Sequence, residues 1–182
     1  KALLFVILTA ARSGEVRGAI WEEIDLAEQV WTIPAERMKA SKSHRVPLSD
    51  EAMALLQEMK ALALAQGRTS GKAYVFPSPH SRDPEQGSVL SDMTLTAVLR
   101  RLDIAAVPHG FRSTFRDWCA EKTDYPNEVA EMALAHAVGN KVEAAYRRGD
   151  LFAKRKQLMQ DWAQYAMGSS HSASETDDPD LP

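Results

Sequence analysis

The sequence predicts an α+β domain, mostly helical, with one small antiparallel sheet. Three observations lead to that class. Apolar residues recur at helical spacing along most of the chain. The β-branched and aromatic alternation that marks strands is confined to short runs, of which Val30-Trp-Thr-Ile33 is the clearest. The length of 182 residues is about one domain, and 45% apolar with 26% charged residues is ordinary for a globular protein.

Taken in order, residues 2–11 form an apolar run that reads as a core helix. One basic residue followed by such a run also has the outline of a secretion signal. Its direct passage into Arg12-Ser-Gly-Glu-Val-Arg17 favours the buried helix, and the run is too short to span a membrane. Ser13 opens a second helix to about Ile20, and Trp21-Glu-Glu-Ile-Asp25 reads as a turn. Pro34 ends the strand at 30–33. Arg37-Met-Lys39 and His44-Arg-Val-Pro-Leu48 flank the polar Ala-Ser-Lys-Ser segment, a hairpin pattern.

Ser49 or Asp50 then caps a helix to about Ala65, with Leu55, Leu56, Met59, Leu62 and Ala63 on one face. Residues 66–72 and 77–90, rich in Gly, Pro, Ser and charge, are expected loops around a short strand, Tyr74-Val-Phe76. Ser91 caps a helix to Leu102. Pro108 opens another, with Phe111, Phe115, Trp118 and Cys119 as its apolar face. Short helices are expected at about 126–134 and 140–147, and a longer one from Leu151 to Met167. Residues 1–168 thus make one domain. The tail at 169–182 has no periodicity and is expected to be disordered and acidic.

Composition excludes several kinds of chemistry. The single cysteine, Cys119, allows neither an internal disulfide nor a Cys-based zinc site, and suits a reducing, cytoplasmic compartment. The five histidines (44, 80, 109, 136 and 171) show no ligand-like clustering, so no metal or other cofactor is expected. The net charge of −3 does not by itself point to nucleic acid. Glu175, Asp177, Asp178 and Asp180 of the tail account for part of it; without them 21 acidic residues face 22 basic ones, a net of +1. Any positive surface must be local.

The chemistry begins with His109-Gly-Phe-Arg112. Positions i and i+3 share a helix face, and the start of a helix favours anions, so an imidazole and a guanidinium here make an anion clamp. Alone the pair is weak, since roughly 0.4 such pairs arise by chance at this composition. Other residues raise its weight. Arg12 directly follows an apolar helix, where desolvation calls for an anionic partner. Leu134-Ala-His136 follows a second apolar stretch, and Tyr146 comes ten residues later in Val-Glu-Ala-Ala-Tyr-Arg-Arg148.

In this order, the residues resemble the tyrosine recombinase family, in its branch of phage and genomic-island integrases. The strings Ala-Arg-Ser-Gly-Glu-Val, Arg-Met-Lys, Val-Pro-Leu-Ser, His-Gly-Phe-Arg-Ser-Thr-Phe-Arg, Leu-Ala-His and Glu-Ala-Ala-Tyr-Arg-Arg carry the resemblance, over roughly residues 3–165. It implies the DNA breaking-rejoining catalytic fold and a site-specific recombinase that integrates or excises a mobile genetic element. Tyr146 would attack a DNA phosphate, giving a 3′-phosphotyrosine and a free 5′-hydroxyl. Arg12 and Arg112 would hold the non-bridging oxygens, and His109 would move the phenol proton. His136 would donate to the phosphate, and Lys39 would protonate the leaving oxygen. Rejoining then needs no ATP, and cleavage no metal.

The resemblance also implies amino-terminal DNA-binding parts outside this chain. It implies double-stranded DNA as partner, a tetrameric synapse on DNA, a monomer alone and no membrane. Lys42, His44 and Arg45 are candidates for the DNA backbone, with Lys39 preferred to Lys42 as catalyst because of its Arg-Met-Lys context. Tyr125 and Tyr165 read as packing residues, Cys119 as core, and Glu15 as a structural partner of a nearby base. The terminal helix either packs on its own core or docks on a neighbouring protomer. A type IB topoisomerase, which uses much the same constellation, is the alternative enzyme. The family commonly has Leu-Gly-His at 134–136, so Ala135 is a departure that matters if positive φ is needed there.

Overall fold

The computed structural model describes residues 1–136 and 149–168. Its first helix, α1 (Ala2–Thr9), is apolar on every side, which suits a helix enclosed by others rather than one lying on a surface. It separates two clusters of buried side chains. Phe5, Val6 and Leu8 face Trp31, Ile33, Leu48, Leu56 and Phe76, with the Phe5 ring 5.4 Å from Trp31 and 5.3 Å from Phe76. Ile7 and Ala10 meet the other cluster, built from Phe115, Trp118, Val129, Leu134, Leu158 and Trp162. The Trp162 indole donates to the carbonyl of Ile7 at 2.7 Å, satisfying its one polar atom. The opening run is therefore the centre of the domain.

The chain leaves α1 through Ala10, whose left-handed backbone (φ 49°) stops the helix two residues earlier than the apolar run suggests. A short helix, α2 (Ser13–Arg17), follows. Its N-cap is Arg12 and not Ser13, because Glu15 accepts from the Arg12 backbone N–H at 2.8 Å. The expected turn at 21–25 holds a strand as well. After one 3-10 turn at Trp21–Glu23, Ile24–Asp25 forms β1 and pairs antiparallel with β2 (Val30–Ile33). Strand β2 pairs in turn with β3 (His44–Pro47), in the order β1-β2-β3. The β2–β3 pairing realises the expected hairpin, but Arg37-Met-Lys39 belongs to its connection and not to a strand. Tyr74-Val-Phe76 is reduced to one bridge, Ile20 to Tyr74; Val75 and Phe76 are buried, yet Pro77 follows at once and, among the described residues, no neighbouring strand continues the ladder.

The remaining helices are α3 (Asp50–Ala65), α4 (Thr94–Arg101), α5 (Gly110–Lys122), α6 (Asn127–Ala133) and α7 (Phe152–Ala166). Ser49 caps α3 by accepting from the Ala52 N–H at 3.3 Å. Helix α4 starts three residues after Ser91, whose hydroxyl bonds that of Thr94 at 2.9 Å instead of capping the backbone. Pro108 likewise lies just before α5. On α7, Leu158, Met159, Trp162 and Ala163 are buried against the same chain, with Trp162 edge-on to Phe115 at 5.3 Å. Among the described residues no helix is long and apolar enough to cross a membrane. The helix expected at 140–147, Tyr146 on it and the tail at 169–182 lie outside the described residues.

Candidate active site

Three helix ends meet where α1, α5 and α6 converge. Arg12, at the start of α2, is held twice by Glu15: its N–H reaches Oε2, and its Nη1 donates to Oε1 at 2.7 Å. Glu15 is buried, so this ion pair fixes Arg12 more firmly than a surface pair would. The anionic partner required by burial next to an apolar helix is thus Glu15, in the structural role expected for it.

Arg112 lies in the first turn of α5 and is only 4% exposed. Its Nη1 donates to the carbonyl of Ala10 and its Nη2 to that of Leu134 at 2.7 Å. Those carbonyls end α1 and α6, where a cation is favoured by both hydrogen bonding and the helix dipole. Among the described residues, no carboxylate forms an ion pair with Arg112. Burial and the neighbouring Arg12 charge lower its proton affinity to about 10, with Glu15 pulling the other way, so it stays cationic at neutral pH. Among the described residues this buried guanidinium is hydrogen-bonded to neutral groups alone, an arrangement suited to receiving an anion.

His136 completes the cluster. Its Nε2 is 3.3 Å from Arg112 Nη2, and its Nδ1 is 2.7 Å from Glu131 Oε2. The chain reaches this position through Ala135, whose φ is 50°. The departure from Leu-Gly-His therefore falls on a left-handed residue, and alanine occupies it with some strain.

The other candidates stand apart from this trio. His109 is exposed and forms the N-cap of α5, one turn before Arg112. Lys39 and Lys42 are exposed in the β2–β3 connection. The base of that connection is anchored, since Arg37 donates to the Glu23 carboxylate and to the carbonyl of Glu15, and Met38 is buried. Lys39 thus sits two residues from a tie to the residue that holds Arg12. Tyr146 lies outside the described residues. Arg12, Arg112 and His136 are brought together; His109 and Lys39 lie exposed on separate segments.

His44 and Arg45, expected toward DNA, are engaged by the protein. The His44 Nε2 lies 3.3 Å from the carbonyl of Ala133. Burial, with Arg155 and Arg112 adding repulsion against the pull of the Ala133 carbonyl and Glu15, lowers its proton affinity to about 4. It is therefore neutral at pH 7 and donates to that carbonyl. Arg45 stands 3.5 Å from Asp150 and 4.0 Å over the Phe152 ring. Two competing nucleophiles, Cys119 and Tyr125, are unsuited to attack. Burial pushes the Cys119 thiol up to about 12. The Tyr125 phenol is held above its ordinary range by burial and by donating to Asp161 at 2.6 Å.

Sequence reasoning missed the roles of two residues here, Glu131 and Arg155. Glu131 binds both His136 and Arg116, and Arg155 is buried between Asp150 and β3. A Glu five residues before the histidine and an Asp five before the arginine were the available signals, and neither spacing has meaning until the helix ends are known.

The fold places the chain in a class. It matches the crystal structure of XerA recombinase with a TM-score of 0.56 at 19% identity, over 95% of this chain and 56% of that one. The mostly helical body with a three-stranded antiparallel sheet is thus the tyrosine-recombinase catalytic fold. The chain belongs to the phage integrase family, whose model matches residues 1–151. Among curated relatives it is 38% identical to the prophage integrase IntA of Escherichia coli (strain K12), over 88% of this chain and 37% of the relative. It is 32% identical to the integrase of Enterobacteria phage P4, over 90% and 39% respectively. The chain therefore spans less than two fifths of the length of these relatives.

Proposed function

We propose that this chain is the catalytic domain of a tyrosine-type site-specific recombinase, which cuts and rejoins double-stranded DNA to integrate or excise a mobile element. The observation that carries the reading is the buried Arg112 charge, balanced by two carbonyls and flanked by Arg12 and His136. Such a site accepts a single phosphodiester group readily, because the bound anion supplies the missing countercharge.

In the reaction, the Tyr146 oxygen attacks phosphorus, the bond to the 5′-oxygen breaks, and the phosphate remains esterified to tyrosine. The phenol proton leaves toward His109, and Lys39 supplies a proton to the departing oxygen. Arg12, Arg112 and His136 hold the non-bridging oxygens as charge builds on them. A phenol with an ordinary pKa near 10 is about a thousandth ionised at neutral pH, so acid–base help of roughly 10²–10⁴-fold per group matters. The ester conserves the energy of the broken bond, and reversal rejoins the strand without ATP.

Residues 1–168 make up this domain, with amino-terminal DNA-binding parts outside the chain. Lys42 is the DNA-backbone candidate with its charge exposed, whereas His44 and Arg45 already have protein partners. The protein acts in the cytoplasm, as a monomer alone and as a tetramer on DNA.

The test is a nicked duplex spanning a junction between the mobile element and its host DNA. Wild-type protein should give an adduct that survives SDS, and Tyr146→Phe should abolish it while leaving the melting temperature unchanged. An undiminished adduct in that variant refutes the nucleophile. Relaxation of supercoiled DNA without a junction would instead favour a type IB topoisomerase.

A further inference from the structure

Helix α6 ends in a way that determines what His136 touches. The His136 N–H donates to the carbonyl of Glu131 at 2.9 Å, and the Ala135 N–H to that of Met132 at 3.1 Å, around the left-handed Ala135. This paired closure folds the third residue after the helix back over the residue that opens its last turn. Here those two positions carry a histidine and a glutamate, and their side chains meet at 2.7 Å. The second carboxylate oxygen accepts from the Arg116 Nε on α5, so Glu131 is gripped from both sides.

A carboxylate can only accept, so Nδ1 carries a proton. That leaves Nε2 beside Arg112. In the neutral ring, Nε2 accepts from the guanidinium, as the 3.3 Å separation allows. A phosphate arriving at Arg112 is itself an acceptor, and Nε2 bonds to it only by gaining a second proton. Among the described residues, the charged groups around the ring are Glu131 from α6 and Arg112 and Arg116 from α5, with Arg12 and Glu15 acting on Arg112 from α2. Among the described residues, Glu131 is the one anion in direct contact with the ring.

Building on the recombinase reading above, we propose that Glu131 is a positioning residue of the reaction. It holds His136 as the tautomer with Nε2 toward the phosphate, and it provides the countercharge that lets the ring become a two-proton donor when DNA binds. Its own state fits this work. Partial burial opposes ionisation, but hydrogen bonds from His136 and Arg116 outweigh it and hold the carboxyl below its usual range, so the charge is present throughout the neutral region.

The experiment compares wild type with Glu131→Gln, which keeps an acceptor of the same shape and loses the charge, and Glu131→Leu, which loses both. Nitrogen-15 spectra of His136 in DNA-free protein should show the Nδ1-protonated tautomer in wild type and in the glutamine variant, and its loss in the leucine variant. The rate of SDS-resistant adduct formation should fall on the order of tenfold at pH 8 in Glu131→Gln, by analogy with partners that orient ligand histidines. The alkaline limb of its pH profile should move to lower pH, because a ring without the countercharge gives up its second proton sooner. A purely structural role would leave that limb in place. A wild-type ring protonated at Nε2 alone, or an unchanged pH profile in a folded Glu131→Gln, overturns the proposal. Absence of any adduct from wild type would instead sink the recombinase reading, and the tautomer spectra separate the two failures.

Discussion

Ala135 shows how one methyl group can be measured. In the left-handed region an L side chain costs about 1–2 kcal/mol, and glycine returns about 0.4–1 kcal/mol of that through the freedom it adds to the unfolded chain. Ala135→Gly should therefore stabilise the domain by about 0.5–1 kcal/mol, read as a rise of roughly 1–4 °C in melting temperature. Ala135→Val should lower it, because a β-branched residue fits that conformation worse. His44 gives a second prediction at this scale. Its proton affinity drops from an ordinary 6.5 to about 4 on folding, so the unfolded chain binds the extra proton. Its contribution is complete above pH 6.5 and is lost as pH falls from there toward 4. Urea unfolding should show about 2 kcal/mol less stability at pH 5 than at pH 7 from this residue, and His44→Gln should flatten that part of the curve.

Among the elements, the start of α7 is the least obvious from sequence. The Lys154-Arg-Lys156 triplet reads as a solvated basic edge, yet Arg155 is 1% exposed. It donates from Nε to the Asp150 carbonyl at 2.7 Å, from Nη1 to the Arg45 carbonyl at 2.5 Å, and from Nη2 to the Asp150 carboxylate at 2.6 Å. One guanidinium thereby joins β3 to α7. Arg155→Met should cost about 2–4 kcal/mol in urea denaturation, since buried acceptors lose their donors. Arg155→Lys should recover little, because an ammonium cannot serve three acceptors lying in one plane. The helices were legible because their apolar spacing and caps are local, as at Ser49 and α3. Strand β1 was not: it is two residues long, and its identity depends on pairing with Val30 and Trp31. Tyr74-Val-Phe76 failed for the opposite reason, having the composition of a strand without a partner to complete it.

At the scale of the molecule, the candidate site occupies the seam between two clusters of core residues. Arg12 and the His109/Arg112 pair were legible as motifs; that Arg112 ties α1 to α6 was not, because both acceptors are backbone carbonyls and leave no trace in the side-chain pattern. Arg112→Ala should therefore lower stability by about 2–4 kcal/mol in a thermal or urea melt, as well as removing any adduct. Arg12→Ala should cost less stability, because Arg12 is partly exposed and bridges no helix ends. The positive charge is local on a chain of net charge −3, so DNA binding should be weak, with a slope of log K against log salt near −3 to −5 by fluorescence anisotropy. A guanidinium already fastened on its inner side to two helices has no slack to take up when a phosphate arrives. In the proposed site it would behave as a fixed jaw, set during folding and indifferent to the bases on either side. Discrimination between one DNA sequence and another must then come from surfaces free to adjust, and this arginine is not among them.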